Sequence, residues 1–117
     1  MEAGQALLMD DDFALDNTVW LTPTPGHVCV NVKSGAAHGL SSGDIMHHAL
    51  QCIEPSWSTC FYRDAAQSSQ SRRMVLDAVA DIYTLVMPAH FPGPTAGQVG
   101  RKRRQLPLPI FRWVRDC

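Results

Sequence analysis

Residues 22–32 read TPTPGHVCVNV, and this stretch limits the available folds more than any other. Pro25 and Gly26 make a tight turn, and His27 follows at the mouth of a run that alternates strictly for six residues. Val28, Val30 and Val32 share one face of that run. Alternation with a period of two marks a strand, because successive side chains on a strand point to opposite sides. The preceding TVWLT, Thr18 to Thr22, is β-branched and aromatic and predicts a second strand, broken by TPTPG. GLSSGD predicts a third, short strand that ends at Gly43-Asp44. These three read as an antiparallel meander. Residues 1–9 are weakly apolar and read as the end of a strand, and DDDFALDN as a polar loop anchored by Phe13.

The pattern then changes. IMHHALQCIEPSWSTCF has mixed polarity and one proline, and reads as a long irregular loop. Asp64 can cap a helix, and Val75, Ala78, Val79 and Ile82 follow at the i, i+3, i+4, i+7 spacing of an amphipathic helix. Arg72, Arg73, Asp77 and Asp81 are expected on its solvent side, with weak pairing of Arg73 to the two aspartates. TLVMPAH, Thr84 to His90, suits a buried strand stopped by Pro88. The expected fold is therefore α/β, with an antiparallel-rich sheet of about four strands and one main helix. One helix covers only one face of such a sheet, so the other face needs a further layer.

The chain has 117 residues, enough for one modest domain. A hydrophobic fraction of 45% against 18% charged places it among globular chains, not disordered ones. No apolar run approaches the length of a membrane span, so no membrane partner is expected. The opening MEAGQALLMDDDF has no basic segment leading into an apolar one, which argues against a secretory signal and for a cytoplasmic location. Cys29, Cys52, Cys60 and Cys117 form no CxxC pair, so they read as inert thiols in a reducing compartment.

Charge is divided along the chain. Residues 1–100 carry four Lys/Arg and ten Asp/Glu, net −6, and residues 101–117 carry six Lys/Arg and one Asp, net +5. The cluster Arg101–Arg104 has the composition of a nuclear-localisation or phosphate-binding patch. The body is acidic and offers no series of stacking aromatics, so nucleic acid is not the expected partner. The boundary divides the chain into a domain over 1–99 and a basic, proline-containing tail over 100–117 that is expected to lie outside it.

His27, Asp44 and His90 share one property: each stands where a predicted strand meets a loop. Strand ends are where functional side chains collect, held by the strand and exposed by the loop. Imidazole and carboxylate are ligands for zinc, or for iron or manganese where oxygen dominates. Singly, a strand-end histidine is more often a hydrogen-bonding group, and a Gly-Asp more often a turn.

Taken together and in order, PTPGHVCVNV, GDIMHHALQ, PSWSTCF and VADIYTLVMPAHFPGPTAG resemble the C-terminal half of a metallo-β-lactamase-fold hydrolase. The likeness is greatest to the branch with lactonase-like and organophosphate-hydrolase-like members, and it covers roughly residues 1–99. It implies part of an αββα sandwich. It implies a site for two zinc ions, with Asp44 as the bridging carboxylate, His90 as the last histidine ligand, and His27 as a ligand or the structural histidine of a shortened turn. It implies that His47 and His48 orient ligands or substrate, and that Trp57 and Phe91 line an apolar cleft. The implied reaction is attack of metal-bound hydroxide on a small ester, lactone or related substrate.

Two departures qualify this. The family's tandem TPGHTPGH turn is present here in one copy, and its HxHxDH motif, which supplies four ligands, is absent. What remains is two protein ligands per ion, below the three of a catalytic zinc. The expectation is an enzyme fragment, begun at an internal methionine and altered after Val99, that does not turn over substrate alone. The alternative is a non-catalytic interaction module that associates with itself.

Overall fold

The computed structural model describes residues 6–93 and 95–101, and the backbone of 109–113. Six strands lie side by side in chain order: β1 (Val19–Thr24), β2 (His27–Ser34), β3 (Ala37–Gly43), β4 (Thr84–Pro88), β5 (Gly97–Arg101) and β6 (Pro109–Trp113). Neighbours are antiparallel except β3 and β4, which run parallel. That parallel step requires a crossover, and it carries both helices, α1 (Leu50–Ile53) and α2 (Ala65–Val79).

The first hairpin forms where the sequence demands it. Thr24 pairs with His27 across Pro25-Gly26, and Gly26 has φ of 88°, a value that suits glycine. β1 continues through Pro23 to Thr24, two residues past the expected break. Pro23 is tolerated because β1 is an edge strand. Residues 6–10 are not a strand, and residues 1–5 of that expectation lie outside the described residues.

The inward face of β2 is the reverse of what its valines suggest. Cys29 and Asn31 are buried, whereas Val30 and Val32 are 37% and 43% exposed. Cross-strand register places Val19, Leu21, Gly39 and Ser41 on the valine face. Leu85 and Met87 continue that face onto β4. Cys29, Leu40, Val86 and Val99 instead join Val75, Leu76 and Val79 of α2, with Ile45, Met46, Cys52 and Phe91, in one hydrophobic core. A polar chain crosses the inner face of four strands. Thr22 accepts from Asn31, whose Oδ1 meets His38 Nε2, and His38 Nδ1 meets Thr84.

Helix α2 starts where the sequence places it. Asp64 accepts a hydrogen bond from the Gln67 amide at 2.9 Å, which satisfies one of the free N–H groups of the first turn. Its inner face differs from the expectation. Arg72, Leu76 and Val79 point inward with Val75, Ala78 is exposed, and the helix ends before the exposed Ile82. Arg72 is fully buried because five hydrogen bonds hold its guanidinium (described below). Asp77 and Asp81 meet Arg101, not Arg73: Arg101 donates from its guanidinium to Asp77 and from its amide to Asp81.

The stretch read as an irregular loop contains the short α1. The domain boundary expected at residue 99 falls inside β5, and strand pairing resumes at 109–113, whose IFRW composition favours a strand. The remainder of the basic cluster, 102–104, and Cys117 lie outside the described residues. Among the described residues no helix is long and apolar enough to cross a membrane.

Candidate metal centre

Parallel pairing sets the position of the site. β3 and β4 run together and end together, so Asp44, just after β3, comes to lie beside His90, two residues after β4. β2 is antiparallel to β3 and begins at this same end, which brings His27 to the neighbourhood. Side chains at the carboxyl ends of parallel strands are fixed by the sheet and opened by the loops. Locally, Gly43 has φ of 52° and the β3–β4 register shifts between Ser41 and Gly43. The strand therefore turns out of the sheet at the residue before Asp44, and glycine is what permits it.

The Nε2–H of His90 donates to Asp44 Oδ1 at 2.9 Å, with both side chains about half exposed. His47 completes the group. Its ring lies parallel on that of His90, 4.6 Å between centroids and 5° between planes. One donor atom from each of Asp44, His47 and His90 lies within 4.8 Å of the other two, and among the described residues this is the one such convergence of His, Cys, Asp or Glu. A carboxylate with two imidazoles is a donor set suited to zinc, iron or manganese. Desolvation pushes the His47 pKa down, helped by neighbouring His90, so the ring favours its neutral, lone-pair-bearing form.

The loop before α1 is held by Gln51. Its Oε1 accepts from the amides of His47 and His48 at 2.7 and 3.2 Å, and its Nε2 donates to the carbonyl of Trp57. On the far side of His47, Nδ1 meets the Tyr62 hydroxyl at 2.6 Å. Behind Tyr62 stands Arg72. Its guanidinium donates to the carbonyls of Pro55, Ile45 and Trp57, to the Tyr62 oxygen at 3.2 Å and to Ser58. It also lies over the Tyr62 ring, 5.3 Å from the centroid.

The candidates divide accordingly. Asp44, His90 and His47 converge. His27 stands outside that trio, on the wall of an adjoining open cleft of about 670 Å³ lined also by Gly26, Ile45, Phe61, Tyr62 and Gln67. His48 turns away and accepts from the Leu50 amide, closing the first turn of α1. Neither Trp57 nor Phe91 lines the cleft: Phe91 is core, and the Trp57 side chain faces solvent. Phe61 supplies the aromatic wall instead. Tyr62, Arg72 and Gln51 escaped sequence reasoning. Their roles depend on carbonyls and amides brought together by the loop, and no periodicity marks that.

No family model matches the chain, and no curated protein matches it. Solved structures do. AidC, a dizinc quorum-quenching lactonase in complex with a product N-hexnoyl-L-homoserine, superposes on 93% of this chain with a TM-score of 0.75 and 20% identity. Hydrolase AbOPH, in the beta lactamase superfamily, superposes on 87% with a TM-score of 0.76 and 17% identity. The chain spans 37% and 36% of those two chains. The likeness establishes the fold: an α/β sheet with one main helix, matching part of a β-lactamase-superfamily hydrolase.

Proposed function

We propose that this chain carries the metal-binding strand ends of a metal-dependent hydrolase for a small ester, lactone or related substrate, and that it does not turn over substrate alone. One observation carries the reading: Asp44 and His90 meet at 2.9 Å at the ends of two parallel strands, beside an open cleft. The donors fit a divalent cation in number and chemistry, with zinc favoured by two imidazoles and a carboxylate. Bound there, such a cation supplies Lewis acidity and an acidified water. Asp44 and His90 orient it. Ile45 and Phe61 offer an apolar wall for an acyl chain, and Gln67 and His27 offer polar groups at its rim. AidC's own dizinc character and its bound acyl-homoserine support the substrate class.

The test is metal content together with hydrolysis of an acyl lactone and a generic ester by the purified chain. Bound zinc that is lost in Asp44→Asn, with little hydrolysis, is the expected result. A wild-type chain that retains no more zinc than Asp44→Asn would refute the site, and rapid zinc-dependent turnover would refute the dependence on further protein.

A second reading is favoured by a different observation. Val30 and Val32 are exposed on the sheet face opposite the one that α2 packs on. That face suits a self-associating, non-catalytic module. Light scattering decides: a stable dimer without zinc binding supports this reading, and a monomer that binds zinc opposes it.

A further inference from the structure

The two donors per ion expected from the sequence do not describe what the loop after β3 builds. His47 brings a third donor to Asp44 and His90. We propose that this chain holds one divalent cation in a single three-residue site, Asp44, His47 and His90, with the Tyr62 hydroxyl orienting His47. The inference rests on the metal-dependent reading above and deepens it by assigning the ligand set and the number of ions.

Donor count and spacing fit a single ion. A catalytic zinc takes three protein ligands, with nitrogens at about 2.0–2.1 Å, which sets tetrahedral donor spacings of about 3.3 Å. The three donors already lie within 4.8 Å of one another, and the exposed His90 and Asp44 side chains can close the difference. The direct hydrogen bond between them gives way to two bonds to the ion. His27 is not in this group, and no second convergence exists among the described residues for another ion.

The proton count at Tyr62 bears on the His47 tautomer. A phenol has one hydrogen to give and two lone pairs to receive with. The Tyr62 oxygen lies 3.3 Å from the Asp44 carbonyl and 3.2 Å from the Ile45 carbonyl, both of which only accept. It lies 3.2 Å from an Arg72 N–H, which only donates. If Tyr62 gives its hydrogen to a backbone carbonyl, its second lone pair receives N–H from His47 Nδ1 at 2.6 Å. The Ile45 carbonyl already accepts from Arg72, which leaves the single phenol hydrogen for the Asp44 carbonyl. His47 carries its proton on Nδ1, and the lone pair of Nε2 is free for an ion. A hydrogen bond at one ring nitrogen fixing the other for metal is how proteins orient ligating histidines. Arg72 is buried and held by backbone carbonyls, so Tyr62 is held in turn.

The experiment titrates the full chain with Zn²⁺ and Co²⁺ alone, by calorimetry and by the visible absorption of Co²⁺, with folding of each variant checked by circular dichroism. One ion per chain is expected. Affinity is expected to fall about 10–100-fold in Tyr62→Phe, as for loss of an orienting partner, and further in His47→Ala, and to be unchanged in His27→Ala. Ring ¹⁵N shifts of the wild-type chain without metal, which need no variant, are expected to show His47 protonated on Nδ1. Two ions per chain, binding kept in folded His47→Ala but lost in His27→Ala, or a His47 protonated on Nε2 would each overturn the proposal. Binding that survives His47→Ala but not Asp44→Asn overturns this ligand set alone. No binding by the wild-type chain overturns the parent reading as well.

Discussion

Arg72 is a cation with 0% exposure, and among the described residues none of its hydrogen-bond partners is a carboxylate. Its stability comes from saturation of its donors, chiefly by main-chain carbonyls of the 45–58 segment, and removing it leaves those acceptors buried. Each unpaired buried carbonyl costs about 1–3 kcal/mol. Arg72→Met is therefore expected to lower the urea midpoint strongly, whereas the neighbouring exposed Arg73→Met stays within about 0.5 kcal/mol of wild type. The cysteines give a second test. Burial pushes the Cys29 thiol up to about 11 and Cys52 up to about 12, while Cys60 is exposed. Iodoacetamide with peptide mapping should mark Cys60 in the native chain, and Cys29 and Cys52 only after denaturation. The pH dependence has a definite sign. Between pH 9 and about 11–12 the folded chain keeps protons on Cys29 and Cys52 that the unfolded chain releases, so these groups make stability fall as pH rises through that window. Native labelling of Cys52 at neutral pH would contradict the packing described.

At the scale of elements, local signals were legible and facing was not. Asp64 announces α2 because a cap acts on its own neighbours. Asp64→Ala is expected to cost about 1 kcal/mol, read as a shift of the denaturation midpoint at constant m-value. The alternation of HVCVNV announces β2, but alternation alone does not say which side is inside. The side that meets α2 holds Cys29 and Asn31, the latter secured by Thr22 and His38 from two other strands. That arrangement is non-local and leaves no mark on the run itself. The inner face of α2 is hidden from the sequence for a related reason. An arginine reads as a surface residue until the carbonyls of a distant loop converge on it. The candidate site was half legible. Gly43-Asp44 and Pro88-Ala89-His90 declare themselves at strand ends, and the parallel pairing of β3 with β4 joins them. His47 reads as an accessory residue in sequence because its approach to His90 depends on Gln51 and Tyr62 holding the loop.

On the scale of the whole molecule, α2 packs on one side of a six-stranded sheet, and the opposite side carries the exposed Val30 and Val32 with the half-buried Leu85 and Met87. Apolar sheet faces of this kind are aggregation-prone in isolation. Val30→Lys with Val32→Lys is expected to reduce self-association in sedimentation experiments while leaving zinc affinity unchanged, because the site lies at the strand ends and not on that face. The structural likeness to AidC and AbOPH covers little more than a third of each. The central claim is that Asp44 and His90 together grip a divalent cation. Anomalous diffraction at the zinc edge, from crystals of the chain grown with Zn²⁺, tests it most directly. The account predicts a peak at about 2.0–2.2 Å from an Asp44 carboxylate oxygen and a His90 ring nitrogen. Zinc found only elsewhere, with the Asp44–His90 hydrogen bond intact, would contradict it.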